Sequence, residues 1–423
     1  MSYTRIYRLV PPHLRPIYFQ YAKKMKNLFV KLKIKITEKQ ETARRGKNNF
    51  PPNAPVIVVG IFSSPTGIGQ GARLMWDKMR KDRRLVEAVD VTSALGLPGG
   101  KKLEGVLDER AFQKLQPSTI VVHLNPPEFE KLYFKFPKKL RRNSKIIAYW
   151  AWELEIMPEK WRIAAKLCDE IWVPSDFVAY SAIKMLGKNY VQKITVVPHH
   201  VTKTNFSNFQ LIMRKKSVRA RYGFNEDDFI VGYSFAFSSV FSRKNPIAVI
   251  VAFQKAFSSE NFQGKKLLLR YRDGHVWPHG IKLLENEAKK DNRIILINAN
   301  ESKIDMDDFY DILNVYMSLH RSEGYGITLI EAANRGVKVI TTGWWLAKDI
   351  ENNENVIKIS WKLIDVDDPQ NVYNVYGARW ADPDVNDASQ KLYMLYYESK
   401  LPSGSTIPSY FPRDSNWIES GAR

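Results

Sequence analysis

Two glutamates, Glu323 and Glu331, flank the stretch Gly324-Tyr325-Gly326-Ile327-Thr328-Leu329-Ile330. The two glycines read as a loop, and the apolar spacing that follows reads as a helix running through Glu331 to Arg335. A loop carboxylate at Glu323 can accept hydrogen bonds from sugar hydroxyls. Glu331, one turn into the helix, can take both hydroxyls of a ribose. Between them the amides of residues 327–329 have no partner inside the helix and present themselves to a phosphate. The plainer alternative is one surface and one helix-face glutamate. The glycines, and an expected strand at 315–319 leading to His320, favour the ligand-binding reading.

Ser242-Arg243-Lys244-Asn245-Pro246 follows an expected strand at 229–235 and opens a helix in which proline suits the first turn. Two adjacent cations there would meet a diphosphate and neutralise a departing nucleotide, a task otherwise given to a divalent metal. Arg-Lys alone is a common surface dipeptide, so its position carries the argument. A third segment, Ser63-Ser64-Pro65-Thr66-Gly67-Ile68-Gly69-Gln70-Gly71-Ala72-Arg73, lies between a strand and a helical pattern. It reads as a loop cradling phosphate on a helix N-terminus, or as a flexible turn. It has neither the dinucleotide-binding glycine spacing nor the Gly-Lys-Ser/Thr ending of an NTPase loop.

His123 closes an expected strand and would project from the carboxyl edge of its sheet, although a lone histidine more often has a structural role. His199-His200 reads as structural or hinge-lining, because adjacent side chains diverge on a strand and no carboxylate is near. Asp365-Val366-Asp367 and Asp382-Pro383-Asp384 read as solvated loop acid.

The elements that must position these residues alternate. Short β-branched runs at 56–60, 119–123, 146–149, 170–173 and 194–197 are separated by helical patterns, and a second set begins at 229–235, 266–271, 293–297, 315–319, 337–341 and 356–359. Strand alternating with helix predicts doubly wound α/β sheets, two of them, joined by the polar stretch 201–217. The expected division is a basic amphipathic segment at 1–52, Rossmann-like domains at 53–205 and 206–385, and a closing helix and tail at 386–423.

A chain of 423 residues with 44% hydrophobic content suffices for two cores. Its one cysteine, Cys168, forms no internal disulfide, and no Cys/His pair has zinc-ligand spacing, which suits a reducing compartment. No signal-like segment and no run of about 18 apolar residues is present, so the expected location is the cytoplasm. The formal charge of +21 is concentrated in residues 7–47, where lysines interleave with apolar residues. This segment either lies on an anionic membrane, giving peripheral association with the inner face, or docks on its own domain with its lysines solvated.

Taken together, the motifs resemble a family-4 retaining glycosyltransferase of the GT-B fold, similar to bacterial enzymes of polysaccharide and glycolipid synthesis, over roughly 56–398. The resemblance rests on His320-Arg321-Ser322-Glu323-Gly324-Tyr325-Gly326 through Glu331, on 237–246, on Trp150-Ala151-Trp152-Glu153 and on 173–178. It implies two Rossmann-like domains facing across a cleft, with the acceptor on the first and a UDP- or GDP-linked sugar on the second. Glu323 would contact the donor sugar and stabilise positive charge at its anomeric carbon, and Glu331 would hold the ribose. Lys244 with Arg243 would bind the diphosphate, and the glycines from Gly67 through Gly69 to Gly71 would close over it. His123 matches a strand-end histidine that contacts the donor sugar. The family's usual arginine before the lysine has no counterpart in 236–242. The resemblance further implies no cofactor and no metal, a glycan or lipid-linked acceptor, and a last helix returning to the first domain. Two rivals stand beside it: a GT-B nucleotide-sugar epimerase, which needs no acceptor, and a nucleic-acid-binding protein argued from charge, for which no recognised motif appears.

Overall fold

The structure, a computed structural model, describes residues 55–82, 85–100, 102–203, 206–258, 264–373 and 375–401. The basic segment at 1–52 lies outside them. The chain divides into two compact units. Among the described residues, the first takes 55–151, Met157–Val173 and Ala182–Val197, and the second takes Trp152–Ile156, Pro174–Ser181 and those from Pro198 to 401.

In the first unit, β1 (Val56–Gly60), β2 (Val86–Asp90), β3 (Val106–Asp108), β4 (Thr119–His123), β5 (Lys145–Tyr149), β6 (Glu170–Val173) and β7 (Ile194–Val196) form a parallel sheet in the order β3-β2-β1-β4-β5-β6-β7. Every residue of β1 is buried, as a central parallel strand covered on both faces requires, and the unbroken run Val-Ile-Val-Val satisfies that. The strands β2 and β3 are less legible because Glu87 interrupts one and the other has three residues.

In the second unit, β8 (Phe229–Ala236), β9 (Lys265–Arg272), β10 (Ile294–Asn298), β11 (Val315–Ser318), β12 (Lys338–Thr342) and β13 (Val356–Ile359) form a parallel sheet in the order β10-β9-β8-β11-β12-β13. Chain order reverses between β1 and β4 and again between β8 and β11. In doubly wound sheets that reversal opens the ligand crevice at the carboxyl ends of the strands.

Three expectations meet a different structure. The segment Gly67–Gly71 is not a loop: the helix Gly67–Asp82 starts at Gly67. Gly69 sits within its first turns, where a Cβ would lie 2.3 Å from the Ser64 carbonyl oxygen, so close approach by the preceding backbone demands glycine there. The acidic pairs are loop acid only in part: Asp367 and Asp384 are exposed and lie between elements, whereas Asp365 and Asp382 belong to an antiparallel pair, β14 (Trp361–Asp365) and β15 (Arg379–Pro383). Asp382 accepts from Arg321 Nε at 2.9 Å, and Asp384 caps the helix Val385–Glu398 by accepting from the amides of Asn386 and Asp387. That closing helix, expected to return to the first unit, packs on Pro246–Ala256 of the second. Its apolar stripe of Ala388, Leu392 and Leu395 is buried in the core around Phe253 and Phe257.

Candidate functional site

The loop after β8 and the loop after β11 leave the sheet side by side, at the reversal of strand order. The first carries Arg243 and Lys244, the second Glu323. In the β8 loop Val240 has φ of 67° and Asn245 φ of 52°, two non-glycine residues in left-handed backbone within six positions. Such geometry costs on the order of 1–3 kcal/mol per residue and persists only where the surroundings hold it. Asn245 is held by its side-chain amide, which donates to the Leu319 carbonyl at 3.0 Å and so ties the two loops together. A second tie runs from the Arg321 amide to the Arg243 carbonyl at 2.8 Å.

These ties bring Lys244 Nζ to 2.5 Å from Glu323 Oε2, with both side chains partly exposed. Burial alone would raise the Glu323 carboxyl, but Lys244 and then Arg243 outweigh it and hold the group down at about 2. Glu323 is therefore an anion at every physiological pH. Arg243 is placed differently from its neighbour: its side chain is only 2% exposed and its guanidinium is spent internally. It donates to the Ser322 carbonyl at 2.7 Å and the Ser239 carbonyl at 3.2 Å, and it stands 3.5 Å from Glu323 and 4.0 Å from Glu153. The structure separates the two cations expected on the diphosphate: Lys244 stays partly exposed beside Glu323, while Arg243 braces the two loops.

Glu153 and Tyr373 complete that brace. The Tyr373 hydroxyl donates to Glu153 at 2.8 Å, the Arg243 guanidinium lies over the Tyr373 ring, and the Ser322 hydroxyl donates to the Glu153 carbonyl. Glu153 had a sequence signal in its Trp-Ala-Trp-Glu context. Tyr373 had none, sitting in a polar segment 220 positions from its partner.

His320, behind Glu323, is fully buried. Its Nδ1 lies 3.0 Å from Ser318 Oγ, and burial lowers its pKa to about 4, so it stays neutral. The glycines of the loop are each explained by a neighbour. A Cβ on Gly324 would lie 2.7 Å from the Trp152 carbonyl oxygen, and Gly326 adopts φ of +90° where a Cβ would also press on Ile350. Tyr325 points into the core, its hydroxyl 2.6 Å from Asp349 Oδ2 and 2.9 Å from the His199 carbonyl. His199 itself is buried against Tyr325, which fits a structural part for it.

Gly326 precedes the helix Ile327–Asn334, and Ile327 and Thr328 in its first turn are partly exposed. No acidic side chain occupies that turn, which leaves its amides and dipole available to an anion. Glu331 follows on the same helix and accepts from the buried Tyr310 hydroxyl at 2.8 Å, which fixes the carboxylate. The Lys244–Glu323 pair thus stands in the loops that precede this helix, and Glu331 stands on the helix itself. Among the described residues no group of three His, Cys, Asp or Glu side chains could hold a metal ion.

In the first unit His123 ends β4 at the carboxyl edge of the sheet, in register with Gly60 and Tyr149, and stacks on Tyr149 with ring centroids 4.2 Å apart. Gly67 starts the next helix with open space where its Cβ would be, and Thr66 Oγ1 accepts from the Gly69 amide at 3.3 Å.

No family model and no curated protein sequence matches the chain. Solved structures do. A glycosyltransferase from Rickettsia africae superposes with a TM-score of 0.53 at 12% identity, covering 83% of this chain and 90% of that one. WaaG, a glycosyltransferase involved in lipopolysaccharide biosynthesis, gives 0.53 at 10% identity over 81% and 91%. Anabaena HepE in complex with UDP-glucose gives 0.50 at 12% identity over 69% and 80%. At such identities the likeness fixes the fold: two Rossmann-like α/β sheets of the GT-B glycosyltransferase kind.

Proposed function

We propose that the chain is a glycosyltransferase that moves a sugar from a UDP- or GDP-linked donor to a glycan or lipid-linked acceptor, in the synthesis of cell-surface polysaccharide or glycoconjugate. The observation that carries this reading is the Lys244–Glu323 pair beside a glycine-launched helix start, at the point where strand order reverses. Glu323, held ionised, accepts hydrogen bonds from the donor sugar and stabilises the positive charge that grows at its anomeric carbon. Lys244 meets the diphosphate as its bond to the sugar breaks, the Ile327 and Thr328 amides bind the same phosphates, and Glu331 takes the ribose hydroxyls. In this proposal the anomeric configuration is retained, His123 contacts the donor sugar, Gly67 and Gly69 lie against the phosphates, and a chelator leaves turnover unchanged. HepE, a protein of the same fold, is itself seen with UDP-glucose.

The test is incubation with a panel of sugar nucleotides, with and without candidate acceptors, followed by product analysis. Transfer to an acceptor with an unchanged anomeric centre is expected. Conversion of the sugar nucleotide in the absence of any acceptor would instead make the protein an epimerase. The membrane part of the proposal is tested apart from this: deleting residues 1–47 should weaken binding to anionic vesicles, and unchanged binding would remove it.

A further inference from the structure

Two tryptophans in succession, Trp344 and Trp345, follow the end of β12 and meet opposite environments. Trp344 is 5% exposed and packs with Phe177 and Ala381, whereas Trp345 is 39% exposed. Trp345 also has φ of 49°, left-handed backbone that strains a bulky side chain and that glycine or asparagine adopts readily. Packing gives no reason to keep an indole there, because the side chain stays exposed. Strain of this kind persists only where the surroundings hold it, and it collects at ligand clamps.

The Trp345 ring lies nearly parallel to that of Tyr180, with centroids 5.4 Å apart, and its centroid is also 5.4 Å from that of the buried Phe177. Tyr180, on the helix Asp176–Leu186, is 41% exposed, so the two rings form an aromatic shelf open to water. An exposed apolar patch with a polar rim marks a binding surface. The rim here is the exposed ion pair of Asp176 and Lys348 at 3.1 Å, whose charges cancel. A neutral, hydroxyl-rich ligand suits such a patch better than an anionic membrane, which calls for unmatched cations. Both halves of the shelf are tied to the loop that carries Glu323. The Ser175 hydroxyl, just before the helix of Tyr180, donates to the Gly324 carbonyl at 2.6 Å. Asp349, next to Lys348, accepts from the Tyr325 hydroxyl at 2.6 Å.

We propose that Trp345 and Tyr180 form a carbohydrate-binding platform for a glycan acceptor, on which the C–H face of a sugar ring packs while Asp176 and Lys348 take its hydroxyls. The C–H groups of a pyranose carry partial positive charge and meet the negative faces of the aromatic rings, and the charged rim bonds to the hydroxyls at the ring's edge. This rests on the glycosyltransferase reading above and adds to it a place for the acceptor; the two can fail separately.

The experiment is calorimetric titration of the full chain with maltohexaose, cellohexaose, chitohexaose and mannohexaose, and separately with UDP and GDP. At least one hexasaccharide should bind the wild type. Trp345→Asn removes the ring and suits the left-handed backbone; it should bind that hexasaccharide about 10-fold or more weakly, with nucleoside diphosphate affinity changed less than about twofold. Trp345→Phe keeps a ring and should lose less. Tyr180→Ala should also weaken the hexasaccharide, and it decides the matter if Trp345→Asn does not fold. Unchanged hexasaccharide affinity in the folded variants overturns the proposal, as does a wild type that binds none of the four. So does a Trp345→Asn chain that keeps hexasaccharide affinity but loses binding to vesicles of phosphatidylglycerol and phosphatidylcholine, which would make the patch a membrane anchor. Each of these leaves the donor reading intact while the wild type binds UDP or GDP. A wild type that binds neither nucleotide removes the donor reading, and the acceptor role of the platform with it.

Discussion

Glu323 keeps its charge because two cations surround it, and the same pair gives Lys244 a resting partner until a diphosphate arrives. Glu323→Gln preserves shape and removes charge, so turnover should fall about 100-fold or more with the fold retained. Steady-state kinetics beside a thermal melt checks this, and full turnover by the folded variant sinks the assignment. Arg243 predicts the opposite pattern. Arg243→Met leaves the buried Ser322 carbonyl without its donor and Glu153 with the Tyr373 hydroxyl as its remaining partner, and should cost on the order of 1–3 kcal/mol in urea unfolding. Lys244→Met should cost less stability and act mainly on diphosphate binding, because its side chain is partly exposed and Glu323 keeps Arg243 beside it. The sequence showed Arg243 and Lys244 as one basic dipeptide. What divides their roles is the burial of one of them among Glu153, Tyr373 and Ser322, contacts that span 79 positions or more and leave no local pattern.

At the scale of elements, the site depends on how abruptly β11 turns into the helix Ile327–Asn334. Gly326 makes that turn with φ of +90°, with Ile350 and Leu329 within 2.9 Å of where a Cβ would sit. Gly326→Ala should therefore combine backbone strain with overpacking, at about 2 kcal/mol or more, and should displace the helix start that binds phosphate. Chemical unfolding and nucleotide titration measure the two effects separately; a variant unchanged in both would remove the elbow from the site. This elbow was readable as a loop with two glycines, and so were the central strands, whose unbroken apolar runs reflect burial on both faces. The helix at Gly67 was not, because three alternating glycines speak for a loop until the Ser64 carbonyl is seen pressing on Gly69. Nor was the hairpin β14–β15, whose Asp and Lys residues hide its pairing. The docking of Val385–Glu398 on its own unit was equally hidden, since an apolar stripe declares that it will be buried but not against which partner.

For the molecule as a whole, the perturbed groups act on stability in one direction over most of the pH scale. Glu323, lowered to about 2, adds stability that is present above its unfolded pKa and lost as pH falls through 4.5 towards 2. His199 and His320, both lowered to about 4 by burial, fold as neutral rings. In the unfolded chain they take up protons below 6.5, so stability falls as pH drops from 6.5 to 4, by on the order of 3 kcal/mol for each ring. Lys215, which donates to the Leu313 carbonyl, is lowered to about 7 by burial and then by Arg219. The unfolded chain binds that proton up to 10.5, so stability continues to rise from pH 7 upward. The ceiling comes from buried phenols: Tyr233, Tyr310, Tyr316, Tyr325 and Tyr373 are all raised above 10, chiefly by burial, and ionise more readily once unfolded, so stability declines beyond pH 10. A chain with a formal charge of +21 also repels itself more as its carboxylates protonate. The melting temperature should therefore climb from pH 4 to a maximum at about pH 8–10, on the alkaline side of the range usual for globular proteins. Differential scanning calorimetry across pH 4–11 measures the curve, and His199→Gln with His320→Gln should flatten its limb between pH 4 and 6.5. A wild-type melting temperature that is level over that limb would mean the two rings are open to water, and the buried contacts of His199 with Tyr325 and of His320 with Ser318 would fall with it.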